Sequence, residues 1–318
     1  MGSSEKIVLT RNEDYWDPDY KGYFKEIVIR FISDSAGRVM AVNSGDVDIA
    51  TEVPQVEASA ALSHDKVYIY TSGQVAHLWY NMGEKAGATK DIKVRQAIDK
   101  ALNFEAISSV ATAGRFMEPQ LGYAGTESPY YNPILTEEDR AVDIEGAKAL
   151  LEEAGYGDGL DLRIVGTADS NNVYTVMQAN LAEVGINLSI ETPDIPTFVG
   201  MAFEGDYDLM VVGELLKAKA PTVIPFLVRA NIEGPGVVIG GPKWTTDEID
   251  SEITDFITET DFNTAKEILT NIDKQLNEEM VCSHLYIEPK AAVAATNLKG
   301  MRTRDERVYL DLTSFYRG

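Results

Sequence analysis

The sequence predicts an α/β fold, on three observations. Short β-branched segments, at residues 5–10 and 26–32, alternate with longer stretches whose apolar residues recur at helical spacing. Gly45, Gly155 and Gly185 each follow such a stretch, where a residue without Cβ suits the left-handed turn that ends a helix. No internal repeat, heptad pattern or low-complexity tract competes with that reading.

Residues 5–10 and 26–32 carry the Ile and Val density of strands, and the polar, aromatic segment 11–18 between them reads as a turn-rich loop. A helix over residues 35–44 stops at Gly45, and Asp48-Ile49-Ala50 opens another strand. These elements form a strand–helix–strand unit of the kind expected in a mixed or parallel sheet. From about residue 90 helix dominates: Val94, Ala97, Ile98, Ala101 and Leu102 share a face, and Asp91 is placed to cap the start. Pro119, Gly122, Gly125, Pro129 and Pro133 break residues 114–136 into a loop. Asp143 caps the next helix, whose stripe is Ala147, Leu150, Leu151 and Ala154. Strands at 160–165, 186–191 and 208–212 surround a helix marked by Val173, Val176, Met177, Leu181 and Val184. Thr245 and Glu248 have the spacing of a capping box, opening a helix buried through Ile249, Ile253, Phe256 and Ile257. A second helix carries Ala265, Ile268, Leu269, Ile272, Leu276 and Met280, and strands at 282–287 and 308–312 close the chain.

Composition narrows the function. The 318 residues include 28 basic and 51 acidic ones, a net charge of -23 that disfavours nucleic acid and anionic lipid as partners. Apolar runs such as 209–212 are far too short to span a bilayer. Cys282 is the single cysteine, which excludes an internal disulfide and a zinc site built on cysteines. Residues 1–30 hold no signal peptide, and Met1-Gly2-Ser3-Ser4 reads as an expression scar joined to an internal segment, so the chain is expected to be a piece of a longer precursor. His64, His77 and His284 are the only histidines and show no HExxH or comparable spacing, so no metal is expected. Cys282 and His284 share a strand face without a base-orienting partner, and a buried thiol is the expected role. Acidic pairs such as Asp46 and Asp48 need not face a common cleft, and no G-x-S-x-G, P-loop or dinucleotide fingerprint occurs. No catalytic residue and no cofactor is expected.

Several dispersed segments carry a resemblance. Arg11-Asn12-Glu13-Asp14-Tyr15-Trp16 is similar to an Arg-Asn-Pro-x-Tyr-Trp segment, with Glu13 in place of proline, and Ser44-Gly45-Asp46-Val47-Asp48 fits a Ser-Gly-x-x-Asp segment after a helix. Tyr80-Asn81-Met82-Gly83, then Val94 to Ala97, Ala147 to Tyr156, Gly185-Ile186 and Gly205-Asp206-Tyr207-Asp208 follow in matching order. Together these resemble the family 5 solute-binding proteins, the peptide-, nickel- and opine-type receptors of ABC importers. The resemblance runs from residue 6 to about 314.

That resemblance implies a type II periplasmic binding protein with two lobes closing over a ligand. It implies a partial first lobe from residues 1–78 and 287–318, and a complete second lobe from 79–286. It implies an extracytoplasmic location, a small-molecule or peptide ligand, ABC permease subunits as partners, no nucleic acid, and membrane contact only through the transporter or a lipid anchor absent from this chain. His77, Tyr80 and Asn81, near the crossover, become ligand candidates; the plainer alternatives are a strand-end tyrosine and a turn asparagine. Thr167 and Asp169 end a strand where α/β folds place ligand loops, or serve ordinary turn chemistry. Trp244 either stacks on a ligand or packs under its Gly-Gly-Pro turn. Where peptide-binding members carry an aspartate for the peptide's amino terminus, this chain reads Glu214-Leu215-Leu216-Lys217-Ala218-Lys219, with Lys217 in the aspartate's place. A lysine there repels an ammonium group and attracts a carboxylate or phosphate, so Lys217 and Lys219 join Glu214 and Leu215 as ligand candidates, the plainer alternative being solvated surface lysines. The expected function is binding without catalysis; the alternatives are a hydrolase acting on a small polar substrate in the same cleft, and a structural or adhesive fragment.

Overall fold

The structure is a computed structural model and describes residues 6–17, 22–54, 57–58, 66–114, 118–126, 128–215, 246–301 and 314–318. The chain divides into two compact units, Met1–Ser72 with Pro289–Gly318, and Gly73–Glu288.

In the first unit, β1 (Lys6–Thr10) and β2 (Glu26–Arg30) pair antiparallel in the register Val8↔Val28. Helix α1 (Ser35–Asn43) starts at Asp34, whose carboxylate accepts the Gly37 N–H, and ends before Gly45 at φ +78°. Strand β3 (Ile49–Pro54) pairs antiparallel with the second half of β8 (Cys282–Ala294), Ala50 opposite Val293. Val39 and Val42 of α1 pack there on Ala50, Val53, Ala291 and Val293. The expected strand–helix–strand unit is corrected here. β1 and β2 form a sheet of their own, and the backbone partner of β3 comes from more than 230 residues away, at Ala294.

The second unit is built on the strand order β8, β4 (Lys66–Tyr80), β7 (Leu209–Leu215), β5 (Leu160–Val165), β6 (Ile186–Glu191). β4 runs antiparallel to β7, while β5 runs parallel to both β6 and β7. Alternation along β4 divides its side chains between two layers. Leu78 and Tyr80 join the larger core, formed with α2 (Ile92–Ala101), α3 (Phe104–Ala111), α4 (Ile144–Glu153) and α5 (Asn171–Ala182). Trp79, with Cys282 of β8, packs against α7 (Asp247–Thr258) and α8 (Phe262–Glu278). Val165 and Met210 are covered by Phe198 and Ala202 of α6 (Ile195–Glu204).

Local chemistry sets the helix ends. Asp34, Asp91, Asn103, Asp143, Asp194, Thr246 and Asp261 each accept a backbone N–H at the start of a helix. Among the described α-helices only α5 begins without a side-chain cap. The cap of α7 is Thr246, accepting from Ile249 N–H at 3.2 Å, which puts Ile249 where the expected box of Thr245 with Glu248 needs a glutamate, so the helix has a simple cap and no reciprocal box. Ile257, expected in the core, is 51% exposed because it flanks the stripe of Ile249, Ile253 and Phe256 one residue before the helix ends. Helix α6 has no counterpart in the sequence reading. Its Pro196 lies in the first turn, where the missing N–H costs nothing. The strand expected at 308–312 lies outside the described residues.

Candidate functional site

Strands β5, β6 and β7 are parallel, so their carboxyl ends share one side of the second unit's sheet. That is where open α/β sheets place ligand loops. β5 leads through Gly166 and Thr167 into a single 3₁₀ turn, Ala168–Ser170, which continues into α5. A Cβ on Gly166 would overlap the hydroxyl and ring of Tyr174, so glycine is what lets that ring lie under the loop. The Thr167 N–H donates to the Tyr174 hydroxyl at 3.2 Å. Burial pushes the Tyr174 hydroxyl up to about 12, and burial also holds Tyr286 of β8 well above the ordinary tyrosine value, with the Glu288 carboxylate adding to the rise. Thr167 is half-buried and Asp169 exposed. β7 continues on the same side past the Val165↔Met210 pair to Glu214 and Leu215, which face Val75 and Gln74 across the ladder.

Tyr80 and Asn81 sit at the opposite end of the β4–β7 ladder from Gln74, roughly 20 Å away over six residues of strand, and level with Ile164 near the carboxyl end of β5. Both are buried. Asn81 Nδ2 donates to the carbonyls of Gly205 (2.9 Å) and Tyr207 (2.7 Å), and its Oδ1 accepts the Gly83 N–H at 3.0 Å. The Tyr80 hydroxyl pairs with Ser283 Oγ at 2.7 Å, Ser283 in turn donates to Asp99, and Asp99 is ion-paired with the buried Arg140 at 3.0 Å. Burial, together with the Asp99 charge, holds Tyr80 well above the ordinary tyrosine value. His77 is fully buried in mid-strand. By register Tyr80 lies level with Leu209 and Ile164, three residues before Thr167, whereas Glu214 and Leu215 lie further along β7; Tyr80 and Asn81 are buried, as is His77 in mid-strand. Lys217, Lys219 and Trp244 lie outside the described residues.

The fold also assembles a polar cluster that sequence spacing did not show. His77 Nδ1 lies 3.0 Å from His284 Nδ1, although the residues are 207 apart in sequence. His284 Nε2 meets Asp273 Oδ1 of α8 at 3.0 Å, so this histidine does have an orienting carboxylate. One ring nitrogen from each histidine and the Cys282 Sγ lie within 4.8 Å of one another. Burial, then the charges of His284 and Arg140, lower His77 well below the usual histidine range. Only the alternation that puts His77 and Trp79 on one face, and Cys282 and His284 on one face, was readable beforehand.

A 220-residue stretch, 2–221, matches the family model for bacterial extracellular solute-binding proteins, family 5 Middle. This chain belongs to that family. Two segments that carry the family resemblance, at 80–83 and 205–208, are the ones Asn81 ties together. Among curated relatives, a putative ABC transporter peptide-binding protein of Brucella ovis is 26% identical over 218 residues, covering 64% of this chain and 38% of that protein. The glutathione-binding protein GsiB of Pectobacterium atrosepticum is 24% identical over 192 residues, covering 55% of this chain and 35% of that protein. The chain thus spans little more than a third of the length of these relatives. The dipeptide-binding protein from Pseudoalteromonas sp. SM9913, solved with Met-Leu, has a TM-score of 0.84 at 19% identity, covering 99% of this chain and 62% of that one. That likeness establishes the periplasmic-binding-protein fold.

Proposed function

We propose that this family 5 chain is the ligand-holding part of an extracytoplasmic receptor that passes a small solute, peptide-like or otherwise small and polar, to the permease of an ABC importer. The observation that carries the reading is the family match over residues 2–221. The relatives named above as peptide- and glutathione-binding proteins point to the ligand class. On this reading the ligand sits at the carboxyl side of the second unit's sheet, against Thr167, Asp169, Glu214 and Leu215. Lys217, in the chain segment after Leu215, is assigned to a carboxylate or phosphate of the ligand. The chain passes between its units twice, within β4 and within β8, and bending at these passages supplies the conformational change.

A receptor of this kind spends binding energy on biasing conformations and makes no bond. The test is thermal unfolding of the chain with dipeptides, tripeptides, glutathione and acylated peptides. A saturable stabilisation of about 2.7 kcal/mol at a ligand concentration of 100 Kd is expected for a one-site ligand. No stabilisation by any member, alongside turnover of generic ester or glycoside substrates, would overturn the reading.

A further inference from the structure

Between the sheet of the second unit and helices α7 and α8 lies the buried cluster of His77, Cys282, His284 and Asp273, which solute binding leaves unused. We propose that His77, Cys282 and His284 bind one divalent transition cation of borderline softness, with Zn2+ as the reference ion, and that Asp273 orients His284.

The donor set selects the ion class. Two imidazoles and one thiol suit Zn2+, Co2+ or Ni2+, whereas Mg2+ and Ca2+ prefer oxygen ligands. The hydrogen bonds select the tautomer. Asp273 Oδ2 accepts the Tyr123 backbone N–H at 2.8 Å, and Oδ1 faces His284 Nε2 at 3.0 Å. The proton of His284 therefore sits on Nε2, and its Nδ1 lone pair points at His77 Nδ1, 3.0 Å away. A carboxylate holding the far N–H of a histidine is the usual outer support of a metal-bound imidazole.

The cluster also holds buried polar atoms that coordination through the two Nδ1 atoms does not itself satisfy. Among the described residues, His77 Nε2 is buried without a hydrogen-bond partner, as are Trp79 Nε1 and Tyr123 Oη. Both of those rings pack on His77, Tyr123 stacked at 4.4 Å and Trp79 tilted at 6.1 Å. Burial of unpartnered polar atoms is costly. Binding proceeds with a defined proton balance. Cys282 gives up its thiol proton and supplies both electrons of the metal–sulfur bond. The proton between the two Nδ1 atoms moves to His77 Nε2, leaving each Nδ1 lone pair for the cation. One proton is released per ion, and the two nitrogens part by roughly 0.3 Å to reach tetrahedral separation. A water completes the four ligands.

The experiment is expression of the whole chain in cobalt-supplemented medium, followed by metal analysis and absorption spectroscopy. One Co2+ per chain with a thiolate-to-cobalt charge-transfer band is expected. That band identifies the site, since Cys282 is the only cysteine. Cys282→Ser, with native circular dichroism, loses the band, and Asp273→Asn weakens the affinity about 10- to 100-fold. Wild-type protein of native circular dichroism that holds no cobalt, or holds it without the thiolate band, would overturn the proposal. The wild-type spectrum decides even where a core variant fails to fold.

Discussion

The side-chain amide of Asn81 donates a 2.7 Å hydrogen bond to the carbonyl of Tyr207, 126 residues further along the chain. With its bonds to Gly205 O and from Gly83 N–H, the side chain joins the end of β4 to the turn before β7. Gly205 reaches that turn at φ +66°, where a Cβ would add strain. Asn81→Ala leaves buried carbonyls unpaired and is expected to cost about 2–4 kcal/mol. Urea unfolding with an unchanged m value checks this. A loss below about 0.5 kcal/mol would remove Asn81 from this structural role.

Gly166→Ala forces a methyl group into the space of the Tyr174 ring. Overpacking of this kind typically costs about 1–3 kcal/mol. Because the displaced ring lies under Thr167, the variant is also expected to weaken ligand binding. Denaturant unfolding and ligand titration read the two effects separately.

Alkaline pH is expected to destabilise the second unit. Burial raises Tyr174 from 10 to about 12, and Tyr80 and Tyr286 also lie well above the ordinary value. The sign follows from linkage: above pH 10 the unfolded tyrosines lose protons that the folded ones keep, so stability falls as pH rises. The contribution is complete below about pH 10 and, for Tyr174, is lost through about pH 12. At about 1.4 kcal/mol per pH unit, Tyr174 alone accounts for roughly 2–3 kcal/mol. Tyrosinate absorbance should rise together with loss of circular dichroism; buried tyrosines that titrate near pH 10 in the folded protein would contradict this.

Lys217 is expected to set ligand charge. Lys217→Asp should favour ligands with a free ammonium group and disfavour N-acylated, carboxylate-bearing ones, a reversal of at least tenfold in relative affinity for a close charge pair. Isothermal titration with matched free and acetylated peptides measures the ratio. An unchanged ratio would remove Lys217 from the site.

Much of the fold was legible because local signals agreed with it. Asp91 and Asp143 cap their helices as read, Gly45, Gly155 and Gly185 adopt positive φ, and Ala265, Leu269, Ile272 and Leu276 form a buried stripe. Errors arose where the answer depended on distant partners. The pairing of β3 with β8 and the meeting of His77 with His284 join residues more than 200 apart. For the site, alternation showed that His77 and Tyr80 face opposite layers, yet the antiparallel course of β4 was needed to set Asn81 at the far end of the β4–β7 ladder from Glu214. Pro196 hid α6, since a proline reads as a breaker unless the helix start is known.

Hydrogen exchange with and without a stabilising ligand tests most directly the proposal that ligand sits at the carboxyl side of the second unit's sheet. Protection is expected to rise at residues 166–171 and 213–215, with no change at 80–83. Protection confined to 80–83, or absent from 166–171 at saturating ligand, would contradict it.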